Sequence, residues 1–246
     1  ESTRAELWIL GQGSGVSDTA VDIHLGRDAS LRIIHVAQWA PSTTAFGSLN
    51  LKLAENATVQ IHDFQLEASC SYLHVDAQLD GEQAAVELQS LSLFGAKGRS
   101  VLQADMRHNA ESTVSQIDVR NALAGQARRS VTGTVRVGRE GQQTDSAQIC
   151  RSLLLSPKAG ADMRPELEIY ADQVKCAHGA TCGELDQSAL HYLRSRGLDV
   201  LTARQLLLKS FALPLLQKLP EPAVEILEPA VNAALTQLGR SLSEQN

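Results

Sequence analysis

Asn56-Ala57-Thr58-Val59-Gln60-Ile61 decides how this chain is read. Val59 and Ile61 alternate with polar neighbours, as the side chains of a strand alternate between two faces. The pattern recurs at Asp28-Ala-Ser-Leu-Arg-Ile33 and at Gln83-Ala-Ala-Val-Glu-Leu88. A fainter copy, Glu111-Ser-Thr-Val-Ser-Gln116, has Gln116 where the others are aliphatic. The aligned positions Leu31, Val59, Val86 and Val114 stand 28, 27 and 28 residues apart. A fixed period of this length signals stacked repeats. The unit has no helical periodicity, so it predicts a β-solenoid whose rungs bury their inward residues against the rungs above and below. The four aligned side chains are expected to stack inward. At ~27 residues per rung, residues 1–180 give about seven rungs, roughly 32 Å tall at a strand spacing of ~4.8 Å.

Further alternating runs support this: Val21 to Leu25, Leu49 to Leu53, Leu73 to Val75 and Val135 to Val137, separated by Gly, Asn, Asp and Ser clusters. Gly11-Gln-Gly-Ser-Gly15 lacks the ending of a phosphate-binding loop and reads as a turn between strands. After Gly183 the period becomes helical. Asp186 and Asp199 are placed as N-caps, and Gly197 stands where a C′ glycine belongs. The second helix is expected to bury Val200, Ala203, Leu207 and Phe211, with Pro214 at its end or in a kink. The third carries Val224, Leu227, Val231, Ala234 and Leu238 as its apolar stripe. Pro222 suits a first turn, while Pro229 suggests that the regular helix begins near it. The organisation expected is a β core at 1–180 and a small helical domain at 184–246.

The 246 residues are 43% apolar but only 4% aromatic, so the core must be aliphatic. A net charge of −6 argues against a general nucleic-acid binder, which needs a basic surface to displace counterions. No apolar run approaches the ~20 residues of a membrane helix, and no signal peptide is visible. The expected setting is cytoplasmic, away from membranes. The chain starts at Glu1 without Met, as a fragment or a processed form would. The cysteines Cys70, Cys150, Cys176 and Cys182 are 80, 26 and 6 residues apart, which fits neither a zinc pair nor a disulfide framework. They are read as reduced thiols, with Cys70 and Cys150 in the core. Of the recurring histidines His24, His35, His62, His74 and His108, His62 and His74 are read as outward or edge residues. The arginines of 125–139, Arg129 among them, read as a solvated strand face.

Lys175-Cys176-Ala177-His178-Gly179-Ala180-Thr181-Cys182-Gly183 lies where the β pattern stops. On a strand, Cys176 and His178 share a face; on a helix they would lie about 200° apart. The preceding Leu167 to Tyr170 and Val174 favour the strand. A thiol and an imidazole side by side suit a borderline metal such as iron or zinc. The alternative is a buried thiol beside a surface histidine.

Tyr170-Ala-Asp-Gln-Val174, the Cys176 to Thr181 run, Gly183-Glu-Leu-Asp186 and Tyr192-Leu-Arg-Ser-Arg-Gly197 together resemble the C-terminal signature of the SufB/SufD family of iron–sulfur cluster assembly proteins. Gly179 after the histidine resembles the SufD branch. The similarity extends upstream through Gln142, Thr144-Asp145 and Leu153 to Ser156, and Met106 to Asn109 resembles a histidine-bearing segment of the family. The resemblance implies a mainly β fold: a right-handed parallel β-helix core followed by the C-terminal helices. It implies a non-catalytic scaffold subunit, paired near its last rungs with a SufB-like subunit (or with a second copy of itself). It also implies a SufC-type ABC ATPase docked on the C-terminal helices, since this chain has no P-loop. His178, with Cys176, would then be a candidate metal site at the subunit interface. No cofactor would be held tightly by this chain alone; iron or an iron–sulfur cluster would be bound transiently in the complex. A carbohydrate-active solenoid enzyme is the alternative, but the acidic residues do not recur as pairs at rung spacing. A purely structural solenoid would leave the Cys176–His178 edge without a purpose.

Overall fold

The computed structural model describes residues 3–40, 42–67 and 69–241. Thirteen strands come first: β1 (Arg4–Gly13), β2 (Val16–Leu25), β3 (Ser30–Trp39), β4 (Thr44–Leu53), β5 (Thr58–Glu67), β6 (Cys70–Leu79), β7 (Ala85–Phe94), β8 (Arg99–His108), β9 (Val114–Leu123), β10 (Arg128–Val137), β11 (Asp145–Leu154), β12 (Gly160–Ile169) and β13 (Lys175–Gly183). Three helices follow: α1 (Gln187–Ser195), α2 (Val200–Leu216) and α3 (Glu221–Ser241). Odd-numbered strands form one seven-stranded sheet and even-numbered strands a six-stranded one, each in chain order. Every paired strand is parallel. Each turn of the solenoid is therefore one odd and one even strand, and there are about six turns.

The two sheets enclose an aliphatic lumen. Ile33, Ile61, Leu88 and Ile117 face Leu49, Leu51, Val75, Leu102 and Val131 within one buried cluster. The repeat alignment holds for three rungs, since Leu31 pairs with Val59 and Val59 with Val86. It slips at the fourth, where Val86 pairs with Ser115 and Val114 sits beside Ala85. Ser115 is buried and Val114 only partly so, so Val114 is not the inward residue. The imperfect last copy had already lost its aliphatic anchor at Gln116, and a one-residue slip exchanges the two faces of a strand.

The corners of the solenoid are set by residues in the left-handed region. Asp28, Asn56, Gln83, Ser112 and Gln143 all have φ between 55° and 60°. Asn and Asp tolerate this region better than most residues. Asn56 Nδ2 donates to Asp28 Oδ1 at 2.6 Å, tying one corner to the next.

The outer face of the odd sheet is apolar too, and helices cover it. Ile34, Phe64, Leu91 and Leu93 pack with Leu208, Ala212, Leu215, Leu227, Val231 and Leu238. Asp186 and Asp199 cap α1 and α2 through two backbone N–H groups each, and Gly197 follows α1 at φ +94°. The face α2 buries is Ala203, Leu208 and Ala212; Val200 is exposed and Leu207 only partly covered. That face is rotated from the expected one because α2 is apolar nearly all round, and tertiary packing chooses among its sides. Pro214 lies inside α2, and α3 is helical from Glu221 straight through Pro229. The expectation that α3 begins near Pro229 is corrected; its apolar stripe holds. Of the expected 184–246 segment, residues 242–246 lie outside the described residues.

Four further readings depart from expectation. Cys70 is exposed, whereas Cys150 is buried. His62 is 1% exposed. It does point out of the solenoid, but into the helix-covered layer. Arg129 is fully buried in the lumen, not on a solvated face. Gly11 and Gln12 belong to β1, and the turn itself is confined to Ser14 and Gly15. Cys70 and His62 both point out of the solenoid, and what covers each sheet separates them; Arg129 shares the parity of Val131 and Val135 and so points into the lumen.

Candidate functional site

β13 is the last strand of the odd sheet and pairs with β11 alone. Among the described residues no strand pairs with its other edge, which presents backbone N–H and C=O groups. Cys176 stands opposite Ser146 and His178 opposite Gln148, both buried positions, so the pair does share the lumen-side face. Among the described residues no strand lies beyond β13, and on that face His178 is exposed and Cys176 half-buried against the core.

The His178 ring is oriented. Its Nδ1 lies 3.2 Å from the Pro165 carbonyl of β12. A carbonyl can only accept, so Nδ1–H is the donor, and in the neutral ring the lone pair falls on Nε2. This backbone support is the arrangement that orients metal-binding histidines. The Cys176 thiol is pushed up from its ordinary range, first by burial and then by Asp145, against a backbone hydrogen bond from Ser146. It is thus a neutral thiol at pH 7, and a bound cation would be needed to draw off its proton. Cys182 lies on the same face but six residues along the strand, roughly 20 Å away, beyond disulfide reach of Cys176.

Among the described residues no group of three or more His, Cys, Asp or Glu side chains could hold a metal ion. Cys176 and His178 supply two ligands at most. His108 and His74 have partners within the fold. His108 is buried, with Nδ1 2.8 Å from Thr113 Oγ1 and Nε2 2.9 Å from Ser115 Oγ, bracing a corner. His74 pairs with Asp105 at 2.7 Å on the outer face of the even sheet.

One group escaped sequence reading. Asp63, fully buried, accepts from His35 Nδ1 at 2.8 Å, Gln65 Nε2 at 2.7 Å and Ser90 Oγ at 2.7 Å. Arg129 donates to Ser90 at 3.3 Å and to Ser100. A signal existed: His35, Asp63 and Ser90 recur at the rung period, 28 and 27 residues apart.

A parallel β-solenoid with one helix-covered sheet, ending in a strand that bears a thiol and an oriented imidazole, defines the class of protein. The chain belongs to the SufB/SufD family: residues 2–211 match the family described as SUF system FeS cluster assembly, SufBD core domain. It is 30% identical over 203 residues to the iron–sulfur cluster assembly protein SufD of Escherichia coli, covering 82% of this chain and 48% of that one. It is 47% identical over 88 residues to the chloroplastic protein ABCI7 of Arabidopsis thaliana, covering 36% of this chain and 18% of that one. A SufBD family protein of Synechocystis is 29% identical over 205 residues, covering 81% and 44%. The chain spans about half the length of the E. coli and Synechocystis relatives. No described helix is long and apolar enough to cross a membrane.

Proposed function

We propose that this chain is the SufD-type scaffold subunit of an iron–sulfur cluster assembly complex, with iron or cluster as its cargo. The observation that carries this reading is the last strand of the odd sheet, which presents His178, held by Nδ1 on the Pro165 carbonyl, on the same face as Cys176. A second subunit meeting this edge would supply the rest. A SufB-like partner suits it best, because a sister solenoid ending in the same open strand offers a matching edge. The exposed side chains of Ile169 and Tyr170 beside it would be covered in such a pair. An ABC-type ATPase would dock on the outer side of the helices, where Leu206 and Ile226 are exposed. In the assembled complex His178 would coordinate iron or relay a proton, and Cys176 would join it once deprotonated. The subunit would work in the cytoplasm and contribute no catalysis of its own.

The test is co-expression with a SufB-like protein and its ATPase, followed by anaerobic reconstitution with iron and sulfide. His178→Ala should leave the complex assembled and reduce cluster yield at least several-fold. His178→Gln should fail similarly, since an amide keeps polarity but cannot act as an imidazole. Wild-type yield from His178→Ala complexes would remove the site assignment while leaving the family untouched.

A further inference from the structure

Most arginines of the solenoid have a carboxylate beside them: Arg27, Arg32, Arg107, Arg136, Arg151 and Arg164 each pair with one. The corner that follows the odd strands is different. Lys97 and Arg99 stand there on the β7–β8 turn of the solenoid, Arg128 on the next and Lys158 on the one after. All four are exposed, and among the described residues none forms an ion pair or a side-chain hydrogen bond. This occurs in a chain with 28 acidic and 22 basic side chains. Arg99 and Arg128 are direct partners in the even sheet, where like charges repel. Arg128 leans away from Arg99, and its Nη1 covers the place where a side chain of Gly160 would start. The bare backbone of Gly160 thus lets Arg128 carry its charge onto the turn that bears Lys158. Two open grooves flank the row. One, of about 570 Å³, is lined by Lys97, Gln126 and Lys158; the other, of about 360 Å³, by Arg99, Arg128 and Ser130. Among the described residues the single carboxylate lining either groove is Asp162, which is held by Arg164 at 2.7 Å.

The four cations extend over two strand spacings, about 10 Å. Glu67 at the end of β5 and Glu184 after β13 bound the run, so a long polyanion would meet carboxylates on either side. No aromatic ring lines the grooves, so nothing there stacks on a base. A peptide strand turns alternate side chains to opposite faces, so only every second carboxylate of an acidic segment would face this corner. A linked phosphate chain presents charge at every unit. We propose that this corner binds a short phosphate chain, with Arg99 and Arg128 donating bidentately to its oxygens and Lys97 and Lys158 holding its ends as point charges. Free polyphosphate and the phosphate tail of a nucleotide share this chemistry. The site involves neither Cys176 nor His178 and does not depend on the iron–sulfur reading.

The experiment is a titration of the 15N-glycine-labelled chain with sodium tripolyphosphate, followed by NMR at an ionic strength of about 0.05 M, where the Debye length exceeds the span of the site. Saturable shifts are expected at Gly98, Gly125 and Gly160, with Gly81 and Gly141 on the opposite corner unmoved. Arg99→Gln combined with Arg128→Gln should weaken binding at least tenfold, and Lys97→Gln with Lys158→Gln at least threefold. Lys52→Gln, which removes an exposed cation elsewhere on the even sheet, should leave the affinity within twofold. Absence of a saturable shift, or unchanged affinity in either double variant, would overturn the proposal. An equal response to sodium sulfate would do so in favour of an adventitious ion only. Tighter saturation of the same glycines by hexaglutamate would do so in favour of an acidic protein segment. Adenosine triphosphate separates the two sources. Affinity equal to that of tripolyphosphate supports recognition of the bare phosphate chain, and binding at least tenfold tighter would overturn it in favour of a nucleotide site.

Discussion

His62 and His108 set the acid limit of this fold. Burial lowers both to about 4; at His62 the Arg32 charge adds to it, and Glu87 and Gln89 oppose. In the unfolded chain both titrate near 6.5, so between those values the unfolded state binds more protons than the native one. Their contribution is present above about pH 6.5 and is lost as pH falls towards 4. Fully developed, each shift corresponds to about 3 kcal/mol. Urea midpoints should therefore drop steeply between pH 6.5 and 4.5. His62→Phe should flatten that slope, because the ring stays but the proton acceptor goes. A residue on the lumen side behaves differently: Val86→Asp places a carboxylate with no partner among Val59, Leu88 and their neighbours. Its cost should be several kcal/mol, read as a loss of urea midpoint at pH 7.

At the scale of elements, the helices are part of the solenoid's packing. Leu208, Ala212, Leu227 and Val231 bury the outer apolar face of the odd sheet, and Lys218, in the turn after α2, pairs with Glu87 of β7 at 2.7 Å. Arg120 of β9 donates to the Phe211 carbonyl at 2.8 Å and stacks on its ring. Removing residues 199–246 would uncover Ile34, Phe64, Leu91 and Leu93, so loss of ATPase binding after that truncation would not isolate a docking surface. Point changes on the outer side do. Ile226→Asp, at a position 64% exposed, should leave the thermal midpoint within about 1–2 °C and weaken ATPase binding at least tenfold by calorimetry. Equal binding by wild type and variant would remove the proposed docking of an ATPase on this face.

At the scale of the whole molecule, a solenoid has two ends, and neither is closed by a further strand among the described residues. Natural solenoids protect such ends, because stacked rungs otherwise continue from one chain to the next. The β12–β13 end should be protected by a partner. Tyr170→Asp, at a residue 63% exposed beyond β12, should lower the affinity for a SufB-like subunit at least tenfold in sedimentation velocity without changing circular dichroism. Retention of full affinity would place the partner elsewhere.

Much of this was legible in the sequence because period-2 alternation and the rung period are local properties. They determined the strands, the stacking of Leu31, Val59 and Val86, and the shared face of Cys176 and His178. The caps Asp186 and Asp199 were equally local, since an N-cap needs only its own next turn. What no local pattern contains is what covers a face once it has been formed. His62 points outward yet is buried, because α2 and α3, far along the chain, return to lie over that face. Arg129 points inward, and Asp63, reached through Ser90, is its counter-charge. Val114 lost its place in the stack because a slip of one residue is decided by the strand alongside. The helical face of α2, apolar nearly all round, was settled by the sheet it meets. Tertiary structure alone decided that His178 Nδ1 rests on the Pro165 carbonyl, since that contact joins two sheets that share no hydrogen-bond ladder.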